Sequence, residues 1–259
     1  MDKIKEKLLE DFKRANKKRK ITLANRYGFS TPEEYLDSLE SKEVVKPLTK
    51  PTIHNVILLD ATGSMSSGGK YNVSMKGIKK ELEWLKTQEE ANYTETIEEF
   101  IEESRIGEIR THKICKLLSP SKIDLNFVGP IGDNTPLYKA VLDIIESIST
   151  TVPSNEKVLL KVYTDGGNNR LDNYKRTCAD KIRQVQKENF TVTFVGTKLD
   201  LSIIINDLNL ESSNCLEIEN TGAGFEKAFE RSMQATQSYT KAVVKGEDVS
   251  VGFYKKIVK

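Results

Sequence analysis

Two short segments constrain the fold more than any other feature of the chain. HNVILLD, residues 54–60, and KVLLKVYTD, residues 157–165, are nearly continuous apolar runs that each end in an acid. A strand with one wet face alternates apolar and polar residues, whereas a strand covered on both faces does not, so these runs read as buried strands of a parallel sheet. Segments of helical periodicity lie between and beyond them. Residues 70–90 carry Val73, Gly77, Ile78, Leu82 and Leu85 on one face, and TPLYKAVLDIIESIS (135–149) is amphipathic. Further helices are expected over 172–188, 200–208 and 223–239, with strands FTVTFVG (190–196) and CLEIE (215–219) between them. YTETIEEF (93–100) and IRTHKICKLL (109–118) alternate and read as a strand pair towards a sheet edge. Strands alternating with helices imply an α/β fold with a mostly parallel sheet covered on both faces. Ligands of such sheets gather at the loops beyond the carboxyl ends of the strands, which puts Asp60 and Asp165 on one edge.

The flanks read differently. Residues 1–45 form a helical appendage, with Ile4, Leu8, Leu9 and Phe12 at helical spacing and a basic KKRK run at 17–20 that interrupts it. Two short helices follow around Gly28. Thr31, Pro32 and Glu34 supply a capping hydroxyl, a first-turn proline and a glutamate three residues after the cap. KPLTKP, 46–51, carries two prolines and reads as a linker. The main domain then spans 52–240, and 241–259 is a tail able to add a strand or dock a partner. TLANRYGFSTPEEYLDSL resembles a helix-turn-helix and makes DNA binding an alternative. Its second helix, however, would bring Glu33, Glu34, Asp37 and Glu40 to the phosphates with the wrong sign. The formal net charge of +2 adds no field favouring nucleic acid or an anionic membrane. Cys115, Cys178 and Cys215 are far apart and odd in number, and the histidines are only His54 and His112, so neither a disulfide framework nor a thiolate or imidazole zinc site is expected. With no secretory signal and no long apolar span, the expectation is a cytoplasmic protein.

The chemistry concentrates in LLDATGSMSSGGK, residues 58–70. A phosphate-binding loop needs a lysine and then a hydroxyl directly after its second glycine. Gly63 and Gly68 have the right separation, but Gly69 intervenes, Lys70 comes one place late and Tyr71 follows. A second reading is an aspartyl-phosphate enzyme, because LLDATGS resembles the nucleophile segment of haloacid-dehalogenase-like phosphatases. The second acid usual two residues on is replaced by Thr62, and FVGTKLD offers Lys198 and Asp200 but no acidic pair. A third reading is a metal site led by hydroxyls. Asp60, Thr62 and Ser64 alternate in one loop, and their oxygens suit a hard cation that keeps several waters. That reading requires further oxygens from other loops, and Asp165 and Thr135 of GDNTPLYKA are available. The bland reading, an Asx turn and helix caps, fits each residue alone but not their joint occurrence.

DATGS, NTPLYKA and TDGG, in this order, resemble the three segments of a von Willebrand factor A domain with a metal-ion-dependent adhesion site. The resemblance covers residues 52–240 and is strongest to small bacterial and phage-encoded members. It implies a Rossmann-like, doubly wound, mostly parallel six-stranded sheet. It also implies hydroxyl ligation by Thr62, Ser64 and Thr135, with Asp60 and Asp165 acting directly or through water. The implied ion is Mg²⁺ or Mn²⁺, ahead of Ca²⁺. Its open position would accept an Asp or Glu carboxylate from a protein partner, making the chain a non-enzymatic interaction module. Gly63, Gly68 and Gly69 then read as loop-turning residues, Lys70 as a surface residue, His54 and His112 as structural, and Trp84 as core.

Overall fold

The computed structural model describes residues 3–26, 30–40, 50–103, 108–132, 134–169 and 173–255. The chain divides into two compact units, Met1–Lys50 and Pro51–Lys259.

The first unit contains α1 (Lys3–Arg14), α2 (Lys17–Arg26) and α3 (Pro32–Glu40). Phe12, Ala24 and Tyr35 form its small core with Leu8, Leu9, Leu23 and Leu36 around them. The Phe12 and Tyr35 rings meet edge to face at 5.1 Å, the geometry the ring quadrupoles favour. The capping signal at α3 is realised in full. Thr31 Oγ1 accepts from the Glu34 amide (3.2 Å), and the Glu34 carboxylate accepts from the amides of Ser30 (3.0 Å) and Thr31 (3.3 Å). The KKRK run does not break the helices as expected. It opens α2, and Asn16 makes the break by accepting from the Arg19 amide at 3.0 Å. Gly28 and most of the expected linker lie outside the described residues.

The second unit is built on a six-stranded sheet of order β3-β2-β1-β4-β5-β6. Its strands are β1 (Thr52–Asp60), β2 (Asn92–Glu103), β3 (Glu108–Leu118), β4 (Lys157–Tyr163), β5 (Phe190–Thr197) and β6 (Cys215–Ile218). Only β3 runs antiparallel to its neighbour. Its helices are α4 (Lys70–Lys86), α5 (Leu137–Ser149), α6 (Tyr174–Gln186), α7 (Lys198–Leu208) and α8 (Gly222–Lys245). Side chains alternate faces along β1, so Ile53, Ile57 and Leu59 pack with residues of α4 and α8 while Val56 and Leu58 pack with α5, α6 and α7. The continuous apolar run of β1 thus serves two cores. Trp84 packs against the first of them, partly buried. His54 is buried and structural, with Nδ1 2.6 Å from Thr94 Oγ1 and Nε2 2.6 Å from Glu156. His112 Nε2 lies 3.0 Å from the Asn126 carbonyl.

Close packing of α4 on α8 depends on Gly77. A Cβ there would lie 2.3 Å from Cγ of Phe229, whose ring stacks on Tyr163 at 4.3 Å. The last helix runs six residues past the expected end at 239, through Lys245. Beyond it Val249, Phe253 and Tyr254 turn back into the core, and Tyr254 Oη lies 3.0 Å from Ser232 Oγ.

Strands β2 and β3 form the pair towards the sheet edge that their alternation implies. The edge is β3, and β2 lies inside the sheet, so Glu95, Glu98 and Glu99 are buried. Glu95 belongs to a polar cluster within the core. Lys161 of β4 donates to Glu81 of α4, and the Asn55 amide bridges Glu81 (3.3 Å) and Glu95 (3.0 Å). Burial, reinforced by Glu81, pushes the Glu95 carboxyl well above the usual carboxylate range.

Candidate metal centre

The site is assembled where β1 and β4 end side by side. Ala61 donates its amide to the Phe100 carbonyl of β2 (3.1 Å), which continues the ladder one residue past Asp60. The chain then leaves the sheet through Thr62 in an extended conformation and passes through 3₁₀ turns at Gly63–Gly69. Gly68 and Gly69 have φ of +64° and +71°, a region that costs other residues strain, and they deliver the chain to the first turn of α4. Gly63 serves a different purpose. Its amide donates to the Gly132 carbonyl at 3.0 Å, and a Cβ would lie 2.7 Å from that oxygen. This contact, with the Ile131 amide on the Ala61 carbonyl (2.8 Å), binds the loop preceding α5 to the loop following β1.

The loop before α5 is fixed further back by a buried acid. Glu99 accepts from Tyr71 Oη and from the Val128 amide (3.0 Å), and Tyr71 Oη accepts from the Gly129 amide (3.0 Å). Its far end carries Thr135. The bland alternative for this residue, a helix cap, is not what forms. The helix begins at Leu137 with no side-chain cap at its first turn. The loop after β4 bonds this entry instead: Asn168 Oδ1 accepts from Tyr138 N in the first turn (3.2 Å), and Asn169 Oδ1 accepts from Thr135 N just before the helix (2.5 Å). The Thr135 hydroxyl is thereby released for the site.

All five residues singled out in the sequence come together. Asp60 Oδ1 accepts from the Thr62 amide (2.9 Å) and hydroxyl (2.7 Å). Thr62 Oγ1 lies 3.3 Å from Ser64 Oγ and 3.5 Å from Thr135 Oγ1. Ser64 Oγ donates to Asp165 Oδ1 at 2.6 Å, which joins the β1 loop to the β4 loop. Asp60, Thr62, Thr135 and Asp165 are buried, whereas Ser64 is exposed, so the cluster meets solvent on the Ser64 side. Burial, with a smaller contribution from Asp165, raises the Asp60 carboxyl to about 6, against the lowering effect of its hydrogen bonds to Thr164 and Thr62.

Further residues complete the arrangement. Thr164 donates its hydroxyl to Asp60 Oδ2 (2.7 Å) and accepts from the Gly166 amide (3.1 Å), linking the two strand ends. Lys70 is not the surface residue its position in the sequence suggests. Its side chain is 5% exposed, and its ammonium sits 2.5 Å from Asp165 Oδ2 and 2.8 Å from Asn220 Oδ1. The turn through Gly68 and Gly69 aims the first residue of α4 inward, and no local pattern in the sequence marks that. The amides of Asn168 and Asn169 had a legible signal, since TDGGNN places two capping side chains directly after the predicted strand.

Neither a protein-family profile nor a curated sequence matches the chain. Solved structures do. The structure of proximal thread matrix protein 1 from the mussel byssus matches with TM-score 0.52 and 13% identity over 79% of this chain and 52% of that one. The same protein with a zinc-occupied MIDAS motif matches with TM-score 0.46 and 15% identity over 83% of this chain and 52% of that one. The chain therefore spans about half the length of these proteins. The likeness is one of fold, and with the β3-β2-β1-β4-β5-β6 order it gives the second unit a mostly parallel, Rossmann-like α/β fold like that of von Willebrand A domains.

Proposed function

We propose that the second unit is a non-enzymatic protein-interaction module. In this reading it holds a divalent cation, Mg²⁺ or Mn²⁺, through Thr62, Ser64 and Thr135, with Asp60 and Asp165 behind them. The observation that carries the reading is the hydroxyl triad. Thr62 Oγ1 stands 3.3 Å and 3.5 Å from the other two hydroxyl oxygens, somewhat longer than the cis edge of a Mg²⁺ octahedron, which is about 3.0 Å for bonds of about 2.1 Å. Hydroxyl and carboxylate oxygens are hard donors, and no group of three His, Cys, Asp or Glu side chains placed to hold a metal occurs among the described residues. A set with so little charge suits a cation that retains waters and binds weakly until another ligand arrives. A bound cation supplies a positive centre that can accept one carboxylate oxygen from a partner on the exposed Ser64 side.

The chain's own residues support binding over catalysis. Asp60 is buried with both oxygens engaged by Thr62 and Thr164, which leaves it fixed as a supporting acid. An aspartyl-phosphate nucleophile needs an approachable carboxylate oxygen. No helix among the described residues is long and apolar enough to cross a membrane. The test is a pull-down from the source cell extract with and without EDTA. The proposal expects a partner retained by wild type with Mg²⁺, lost with EDTA, and lost with Thr135→Ala in either condition. Retention that ignores both EDTA and Thr135→Ala contradicts it.

A further inference from the structure

Among the described residues, Lys70 is the one buried cation at the edge of the site, and the proposed metal chemistry does not use it. Its ammonium occupies Asp165 Oδ2, while Ser64 occupies Asp165 Oδ1. Both oxygens of that carboxylate are committed within the protein. The side chain is held from two sides, because Asn220, just before α8, accepts a second hydrogen bond from the same nitrogen. With only 5% of the Lys70 side chain and 1% of the Asp165 side chain exposed, water screens the pair little.

We infer that Lys70 sets the charge of the site, and that it does so by weakening metal binding in order to strengthen carboxylate binding. The inference rests on the metal-site reading above. Among the described residues, Asp60 and Asp165 bring two negative charges to the cluster, and Lys70 cancels one of them. A divalent cation then leaves the loaded site with one net positive charge. A single carboxylate neutralises it, which is the favourable state for a cluster shielded from water. Without Lys70 the loaded site would already be neutral, and an arriving carboxylate would leave a net negative charge. The same ammonium therefore repels the metal and attracts the ligand that follows it. The expected ligand class is a singly charged carboxylate, such as one Asp or Glu side chain.

The experiment compares wild type, Lys70→Met, Lys70→Arg and Asp60→Ala. Mn²⁺ affinity is measured by calorimetry, and acetate affinity by the loss of water-proton relaxation enhancement as acetate displaces water from protein-bound Mn²⁺. Lys70→Met is expected to bind Mn²⁺ about tenfold more tightly and acetate about tenfold more weakly, while Lys70→Arg stays near wild type. A residue that merely supports the fold would weaken both affinities when replaced. Mn²⁺ binding by Lys70→Met that is unchanged or weaker, or acetate binding that is unchanged or tighter, overturns the role of Lys70 and leaves the metal site standing. Mn²⁺ binding that is equal in wild type and Asp60→Ala overturns the metal site and this role together. If Lys70→Met does not fold, wild type decides. A protected lysine ammonium resonance, absent from Lys70→Arg, must persist when Mg²⁺ saturates the protein, and its loss to solvent exchange overturns the inference.

Discussion

Replacing Asp60 by Ala is expected to abolish the stabilisation of the protein by Mg²⁺. A ligand that binds the folded state at about ten times its dissociation constant contributes roughly 1.4 kcal/mol, which a thermal melt resolves. In Asp60→Ala that shift should fall to nothing, because the side chain removed both supplies charge and orients the Thr62 hydroxyl through a 2.7 Å hydrogen bond. The effect has a pH dependence of defined sign. Burial raises the Asp60 carboxyl to about 6, so the folded metal-free protein holds a proton that the unfolded chain releases near 3.8. Stability from this group is therefore present at low pH and declines as pH rises through that window. Metal binding needs the ionised form and runs the other way. The Mg²⁺-dependent shift should be full above about pH 7 and fade as pH falls below about 6. Melts of wild type and Asp60→Ala with and without Mg²⁺, at several pH values, check both statements.

The largest loss of stability is expected from Lys161→Met. Lys161 is fully buried and donates to Glu81, with Glu95 close enough to feel its charge. Removing the only cation of this cluster among the described residues leaves two acids in a low-dielectric core, where breaking one buried pair typically costs about 3–5 kcal/mol. Glu95 already stands well above the usual carboxylate range, and losing Lys161 removes an interaction that lowers it. The cost should therefore be greatest at neutral to alkaline pH and shrink on acidification, as Glu95 takes up a proton. Replacing the acids as well, in Glu81→Leu/Glu95→Leu/Lys161→Met, should recover much of the loss, since apolar groups of similar volume carry no desolvation cost. Urea denaturation of the three proteins at two pH values measures the effect. A Lys161→Met protein as stable as wild type at neutral pH would show that the cluster contributes no electrostatic stability.

The sheet was largely legible in the sequence because its signals are local. Runs such as HNVILLD need no partner to be recognised as doubly covered strands, and each helix announces its buried face within its own length. The capping box at Thr31 was legible for the same reason. The five residues brought together at the sheet edge could be named in advance because two end strands and the others lie in adjoining loops, so topology alone places them close. What escaped prediction depends on contacts distant in sequence. Lys70 looks like any first-turn lysine until Gly68 and Gly69 turn it towards Asp165, 95 residues away. Glu95 and Glu99 take their partners, Asn55 and Tyr71, from segments distant in sequence, which nothing local to β2 marks. α5 starts at Leu137, past Pro136, and the amides of Thr135 and Tyr138 there are bonded by Asn169 and Asn168 of a later loop, 34 and 30 residues away.

The central claim is that Thr62, Ser64 and Thr135 hold a divalent cation at the carboxyl edge of the sheet. The most direct measurement is anomalous diffraction from crystals of the protein grown with Mn²⁺. A single strong peak about 2.1–2.3 Å from coordinating hydroxyls of this triad, with Asp60 and Asp165 beside it, is the predicted result. A well-ordered site loop with no peak among these hydroxyls at saturating Mn²⁺, or a peak only elsewhere on the molecule, would contradict the account.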